Sequence, residues 1–411
     1  MKVFLGLTNI ASQFQDLAYG FQENDCEIIT VVDKQIQSPI VHDFWDINLS
    51  SKYREWIQYV RPRRFRSATY NRFGDLRRKT FQNCIKDCDV FFFTWNTFYH
   101  SFEDLPAIKK AGKKIVVMFV GSDIRWPFAM EQEFQSYGLH PIEYDPNQAP
   151  FQSIEYLESR LSYQRAMEKH ADLIISSKDA SQLALRPYLW TSGFIDLRSI
   201  HANPTQKPIP RIIHSPSNRA GKGTRYVLDA VKRLESTSLK FNFEFIENKP
   251  YHDALQLYSE TDVLLGQLLC PGGGKQEREA LAAGMVTCSS NPPDYLKERT
   301  SQSPHVHVTP STVFDVMAKL IPNLKSRKKL ALSGIEYANA KLDVIKFCKR
   351  ILKFLKNPDD ELLTLPRFYR NDLKVEEASQ VDILNKYNQK VKNCSWYKKF
   401  VPTGNRDGLI F

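Results

Sequence analysis

Long apolar runs are missing from this chain. Nowhere do eighteen apolar residues follow one another, so no membrane-spanning helix is expected. The opening Met1–Leu7 meets the polar pair Thr8-Asn9 too soon for the apolar core of a secretory signal. A cytoplasmic protein is therefore expected, or one that lies on a membrane from that side. A disulfide framework is missing too. The seven cysteines, Cys26, Cys84, Cys88, Cys270, Cys288, Cys348 and Cys394, are odd in number and scattered, with no histidine or second pair at zinc-ligand spacing. No internal repeat, low-complexity tract, helix-turn-helix, zinc finger or aromatic ribonucleoprotein motif is visible. Nucleic acid is thus not expected as the partner.

What is present is the balance of a globular protein. Of 411 residues, 42% are hydrophobic and 25% charged, which suits two or three domains with cores of their own. The net charge of +11 is local rather than spread. Residues 52–79 carry ten Lys/Arg against Glu55 and Asp75, and residues 325–356 carry ten against Glu336 and Asp343. Such patches suit an anionic membrane surface or a phosphorylated ligand, and a solvated helix face explains either one equally well. In the first patch, Lys52–Val60 reads as a short helix with Tyr53, Trp56, Ile57 and Val60 on one side and Arg61, Arg63, Arg64 and Arg66 following. Aromatics beside cations mark 52–79 as an expected membrane-facing segment.

Hydrophobic periodicity alternates between strand and helix. Strands are expected at 1–7, 27–32, 89–95, 114–120 and 173–177, and helices at 10–22, 104–111 and 154–170. After a proline-rich stretch at 201–210 a second series begins. Strands at 211–214, 241–246, 262–268 and 285–289 alternate with helices at 224–235, 251–259 and 277–283. The fold class expected is α/β, with two tandem Rossmann-like domains facing across a cleft: 1–205, 206–357, and a tail 358–411 that packs back on the first domain.

In open α/β sheets ligands bind beyond the carboxyl ends of the strands. Two loops there carry the chemistry. In Ser215–Thr224, Arg219 and Lys222 stand three apart beside Ser217 and Gly221, just before a helix whose N-terminus favours an anion. A diphosphate would fit. The loop is not a phosphate-binding loop of the G-x-x-x-x-G-K type, because Pro216 stands five before Gly221. In the second loop, Gly272, Gly273 and Gly274 allow close backbone approach and can aim N–H groups at an anion, while Glu279 could accept both hydroxyls of a ribose. The blander readings are a pair of solvated cations and a flexible turn. On the first domain, His100 follows a strand at the same edge, and Asp123 reads equally as a turn-capping carboxylate or a ligand contact.

The segments Ile212–Thr224 and Glu279–Val286, with Val120–Arg125 and Ala171–Ser177 upstream, resemble retaining glycosyltransferases of family 4 with the GT-B fold. The resemblance touches most of residues 1–350 in order. It implies that Arg219 and Lys222 hold the donor diphosphate, that Glu279 binds the ribose, and that Ser217, Gly221 and the glycine loop line the donor. The residues expected on the acceptor side are Gly6, Asn9, His100, Gly121, Ser122, Asp123 and Arg125. Two positions depart from the family: Val120 stands where a histidine is frequent, and Pro271 stands where many members have a glutamate. The only Asp-x-Asp triplet, Asp87-Cys88-Asp89, begins a strand at the opposite edge, so no metal and no cofactor beyond the nucleotide-sugar co-substrate is expected. The expected activity is transfer of a sugar from a nucleotide-sugar donor to a glycan or lipid-linked acceptor. The alternatives are a catalytically degenerate scaffold that binds sugar nucleotides or glycans, and a basic transferase acting on nucleic acid.

Overall fold

The computed structural model describes residues 1–36, 44–49, 66–121, 123–136, 138, 153–177, 181–247, 249–292, 303–366 and 378–401. They form two units: Met1–Trp126 with Ile154–Thr191 and Ile345–Phe411, and Pro127–Ser153 with Ser192–Val344. The chain passes between the units at 126/127, 153/154, 191/192 and 344/345, whereas composition suggests boundaries at 205/206 and 357/358. The proline-rich stretch at 201–210 runs within the second unit.

Unit 1 is built on an eight-stranded sheet of β1 (Lys2–Ile10), β2 (Glu27–Ile36), β3 (Ile47–Asn48), β4 (Val90–Thr94), β5 (Lys114–Met118), β6 (Leu173–Ser176), β7 (Tyr188–Trp190) and a late strand at Leu363–Thr364. Its order is Leu363–Thr364, then β7-β6-β5-β4-β1-β2-β3, with every pair parallel except the late strand on β7. The strand order reverses between β1 and β4, which is the switch point of this sheet. Val3–Leu7 of β1 and Val90–Phe93 of β4 are apolar throughout and buried, as strands covered on both faces by helices are. Phe4, Phe91, Phe93 and Phe98 stack at centroid distances of 5.2–6.4 Å with the rings of Phe4 and Phe93 fully buried. Truncating Phe93 to alanine would cost about 3–5 kcal/mol by cavity formation.

The first strand runs three residues beyond the expected end, to Ile10, and the helix begins at Gln13 rather than 10. Thr8 and Asn9 stay in the sheet because their polar groups are satisfied there. Thr8 Oγ1 donates to Asn96 Oδ1 at 2.7 Å, and Asn9 Oδ1 accepts from Phe14 N at 3.1 Å. Phe14, Leu17, Ala18 and Phe21 form the buried face of that helix as the periodicity implied.

Unit 2 carries a five-stranded parallel sheet: β8 (Arg211–His214), β9 (Asn242–Phe245), β10 (Val263–Leu265), β11 (Val286–Ser289) and β12 (Val306–His307), in the order β12-β11-β10-β8-β9. Helix Thr224–Glu235 buries Val227, Ala230, Val231 and Leu234, the positions its spacing demands. Helix Lys275–Ala283 stops at Gly284, whose φ of 85° is open to glycine at little cost. The remaining described segments after Pro358 include helices Ala378–Asn388 and Ser395–Phe400. A buried network holds the first of these to unit 1: Arg165 donates to Asn388 Oδ1 at 3.0 and 3.1 Å and to Glu168 Oε2 at 2.6 Å.

Candidate functional site

The order β9-β8-β10-β11-β12 changes direction between β8 and β10, so the loops after these two strands form the mouth of the unit 2 sheet. They are the loops that hold Arg219 and Lys222 and the three glycines. His214, at the end of β8, fastens them together. Its Nδ1 donates to Leu265 O on β10 at 2.7 Å, and its Nε2 accepts from Thr224 Oγ1 at 2.9 Å. Burial pushes the imidazole below its ordinary value, which keeps Nε2 unprotonated and able to accept.

In the first loop Asn218 caps a single helical turn, Arg219–Lys222, by accepting from Gly221 N at 2.8 Å. Gly223 follows at φ 72°, and a Cβ there would press on Leu268 and Leu269 at 3.2 Å, so the turn lies directly against the second loop. That contact carries Lys222 inward. Its Nζ donates to Gln267 Oε1 at 2.8 Å and lies 3.7 Å from Glu277 Oε1. Arg219 faces elsewhere. Its guanidinium forms a two-pronged pair with Glu247 just beyond β9, Nε to Oε1 at 2.7 Å, and stands 5.0 Å over the Phe245 ring. The structure therefore brings Lys222, but not Arg219, to the glycine loop. Ser217 is exposed on the approach to that turn.

The glycine loop is held from inside. Gly272 and Gly273 take φ values of 109° and 62°. Gly272 N donates to Asn291 Oδ1 at 3.2 Å and Gly274 N donates to Glu277 Oε2 at 2.6 Å. Two of the three N–H groups expected to form an anion nest are thus committed to side chains. Glu279 is buried on helix Lys275–Ala283, where its Oε1 accepts from Tyr251 Oη at 2.5 Å and lies 3.9 Å from Lys275 Nζ. Burial, and next the charge of Glu279, raises the nearby Tyr258 phenol.

Glu277 was not singled out from the sequence, where a glutamate in a first helical turn reads as a dipole partner. A signal existed: Gly274-Lys-Gln-Glu277 has the spacing by which a third-position glutamate reaches back to the cap N–H. Its carboxylate has no exposed surface. Burial alone would raise it, yet Lys222 and the N–H groups of Glu277, Gly274 and Gln267 hold it below the ordinary carboxylate range.

In unit 1 the residues expected on the acceptor side divide. Gly6 lies within β1, paired with Val31 and Phe93, inside the sheet rather than on a loop. Asn9 is buried and spends its side chain on Phe14 N and Gln15 Oε1. His100 is exposed after β4, on the switch-point edge. Asp123 accepts from Gly121 N at 2.7 Å and Val120 N at 3.2 Å, as a turn-capping carboxylate does, while burial pushes it up to about 6. Arg125 folds over Gly121, whose φ is 131°, so that a Cβ there would meet its guanidinium carbon at 2.9 Å. Ser122 lies outside the described residues. Asp89 of the Asp-x-Asp triplet accepts from Lys2 N at 2.8 Å at the start of β1, the far edge of the sheet from these loops. Among the described residues no group of three His, Cys, Asp or Glu is placed to hold a metal ion.

Two Rossmann-like units with these strand orders make the GT-B fold. The chain is similar to sucrose-phosphate synthase of Thermosynechococcus elongatus (10% identity, TM-score 0.51, 87% of this chain and 98% of that one). It is equally similar to HepE of Anabaena, solved with UDP and glucose (12%, 0.51, 87% and 99%), and to WaaG, a glycosyltransferase of lipopolysaccharide biosynthesis (11%, 0.50, 87% and 100%). No protein-family model and no curated protein sequence matches the chain.

Proposed function

We propose that this chain is a glycosyltransferase that moves a sugar from a nucleotide-sugar donor to a glycan or lipid-linked acceptor. The observation that carries the reading is the convergence at the unit 2 switch point: Lys222 comes from one loop and meets Gln267 and the glycine loop from the other, with Glu279 buried on the helix that follows. This is where a diphosphate and a ribose would sit in such a sheet. HepE, of the same fold, binds UDP, which makes UDP the first probe.

Cleavage of the anomeric C–O bond leaves positive character on the sugar and negative charge on the departing diphosphate. A fixed cation stabilises that charge more in the transition state than in the ground state. Lys222 fills this role, joined by Arg219 once it turns away from Glu247, and no metal is required. The family resemblance supports transfer with retention of anomeric configuration. Val120 offers no base, so an oxygen of the departing phosphate on the same sugar face takes the acceptor proton. Retention, the metal-free mechanism and the cytoplasmic membrane face as the place of action all belong to this proposal.

The test is release of nucleoside diphosphate from a panel of nucleotide sugars with glycan and lipid-linked acceptors, run in EDTA, with the anomeric coupling of the product read by NMR. Turnover in EDTA with a retained linkage is expected. Strict dependence on magnesium or an inverted linkage would contradict the mechanism. Saturable nucleotide binding without turnover on any acceptor would favour the binding-scaffold reading, to which Val120 and Pro271 lend support.

A further inference from the structure

We infer that Glu277 is a positioning residue of the donor site, a buried carboxylate around which the glycine loop is folded and which fixes Lys222 in place; this rests on the nucleotide-sugar reading above. Three glycines surround it. A Cβ on Gly266 would lie 3.0 Å from Glu277 Cγ and Oε1, one on Gly274 would lie 3.0 Å from Oε2, and one on Gly273 would lie 3.3 Å from Glu277 Cβ. The lack of side chains at these positions therefore admits the carboxylate as much as it would admit a ligand. The two oxygens then divide the work. Oε2 accepts from Gly274 N at 2.6 Å and Oε1 accepts from Gln267 N at 3.2 Å, so a single group ties the end of the glycine loop to the exit of β10. The same Oε1 faces Lys222 Nζ at 3.7 Å, and Gln267, held by that N–H bond, presents its own side-chain oxygen to the amine at 2.8 Å.

A carboxylate with no exposed surface beside an ammonium that is 19% exposed forms a lopsided pair: the acid is fixed and the base is reachable from solvent. An incoming diphosphate can meet Lys222 without displacing Glu277, since both carboxylate oxygens point inward to backbone N–H groups. The pair localises the cation before the ligand arrives, which is the preorganisation that electrostatic catalysis depends on. Glu277 need touch neither the donor nor the acceptor.

Glu277→Gln keeps the shape and removes the charge. UDP titration calorimetry on the full chain should show affinity weakened about tenfold or more at unchanged stoichiometry. Reduced stoichiometry with a wild-type Kd would mean that Glu277 serves only the folded fraction, and would overturn the inference, as would a wild-type Kd at full stoichiometry. If Glu277→Gln does not fold, Gly266→Ala decides: its methyl group displaces the carboxylate without a positive φ to violate, and it should weaken UDP in the same sense. A wild-type Kd in that variant overturns the inference. A ligand-free readout separates this from the functional reading. The carbon-13 titration of the Glu277 carboxyl should move upward in Lys222→Met, and an unmoved midpoint would refute the pairing. Should wild-type chain bind neither UDP nor a UDP-sugar, the nucleotide reading falls while the carboxyl titration still decides the pair.

Discussion

Lys222 Nζ lies 2.8 Å from Gln267 Oε1, across the point where the unit 2 sheet changes direction. The two residues belong to loops 45 positions apart in the chain. A second link, Leu268 N to Lys222 O at 3.1 Å, makes the approach a backbone feature and not only a side-chain one. These contacts hold the cation in place without a ligand.

Lys222→Ala should therefore cost on the order of 2–4 kcal/mol of transition-state stabilisation, the scale of losing one preorganised donor. The measurement is kcat/KM for nucleoside diphosphate release under the conditions that give wild-type turnover. Wild-type kinetics in this variant would place the leaving-group site elsewhere.

Arg219 makes a different case, since Glu247 already occupies it and its side chain is 63% exposed. Releasing it should help the ligand. Glu247→Gln is expected to tighten UDP several-fold by freeing the guanidinium, and Arg219→Ala to abolish that gain when combined with it. Double-mutant calorimetry reads both. Equal affinity of wild type and Glu247→Gln would show that Arg219 takes no part.

Asp104 and Asp123 brace the loops after β4 and β5, and burial pushes each carboxyl up to about 6 from 3.8. A folded-state value above the unfolded one means that the native chain binds more protons between these limits, so stability falls as pH rises through that window. For Asp123 the full effect is up to ~3 kcal/mol, at 1.36 kcal/mol per unit. Urea unfolding between pH 4.5 and 7.5 should show Asp123→Asn, which keeps the oxygen facing Gly121 N, with a shallower decline than wild type. Parallel curves would refute the assignment.

Residues 52–65 of the basic segment 52–79, with the expected helix Lys52–Val60, lie outside the described residues, and 66–79 belong to the helix Arg66–Asp87. The segment's expected role follows from composition alone. The chain should co-sediment with anionic but not neutral vesicles, and salt or the pair Arg63→Glu and Arg64→Glu should release it, since each juxtamembrane cation contributes roughly 1 kcal/mol. Binding indifferent to lipid charge would leave these cations as a solvated face.

The strand and helix series was legible wherever periodicity alone decides. Arg211–His214, Thr224–Glu235 and Tyr251–Ser259 begin and end where their apolar spacing places them. Periodicity failed at Thr8 and Asn9, whose polar side chains looked like a strand end but find partners inside the sheet. It also passed over Ala378–Asn388 and Ser395–Phe400, which follow the last strand–helix alternation and pack by a few large contacts such as Trp396 and Tyr397. The candidate site was legible as two loops, because glycines and cations ahead of a helix are a pattern that suits an anion. Its internal wiring was not. That Glu247 lies opposite Arg219, or that Glu277 lies under Lys222, follows from the strand order, and strand order is a property of the folded sheet.

The central claim is that unit 2 binds a nucleotide diphosphate through Lys222. Thermal unfolding of the full chain across a panel of nucleoside diphosphates and nucleotide sugars tests it directly, with Lys222→Ala as the control. At 100 times Kd a bound ligand adds roughly 2.7 kcal/mol to stability, which is readily seen. The account predicts that at least one uridine or other nucleotide ligand raises the wild-type melting temperature and leaves Lys222→Ala unmoved at the same concentration. No shift with any ligand, or the same shift in both proteins, would contradict it.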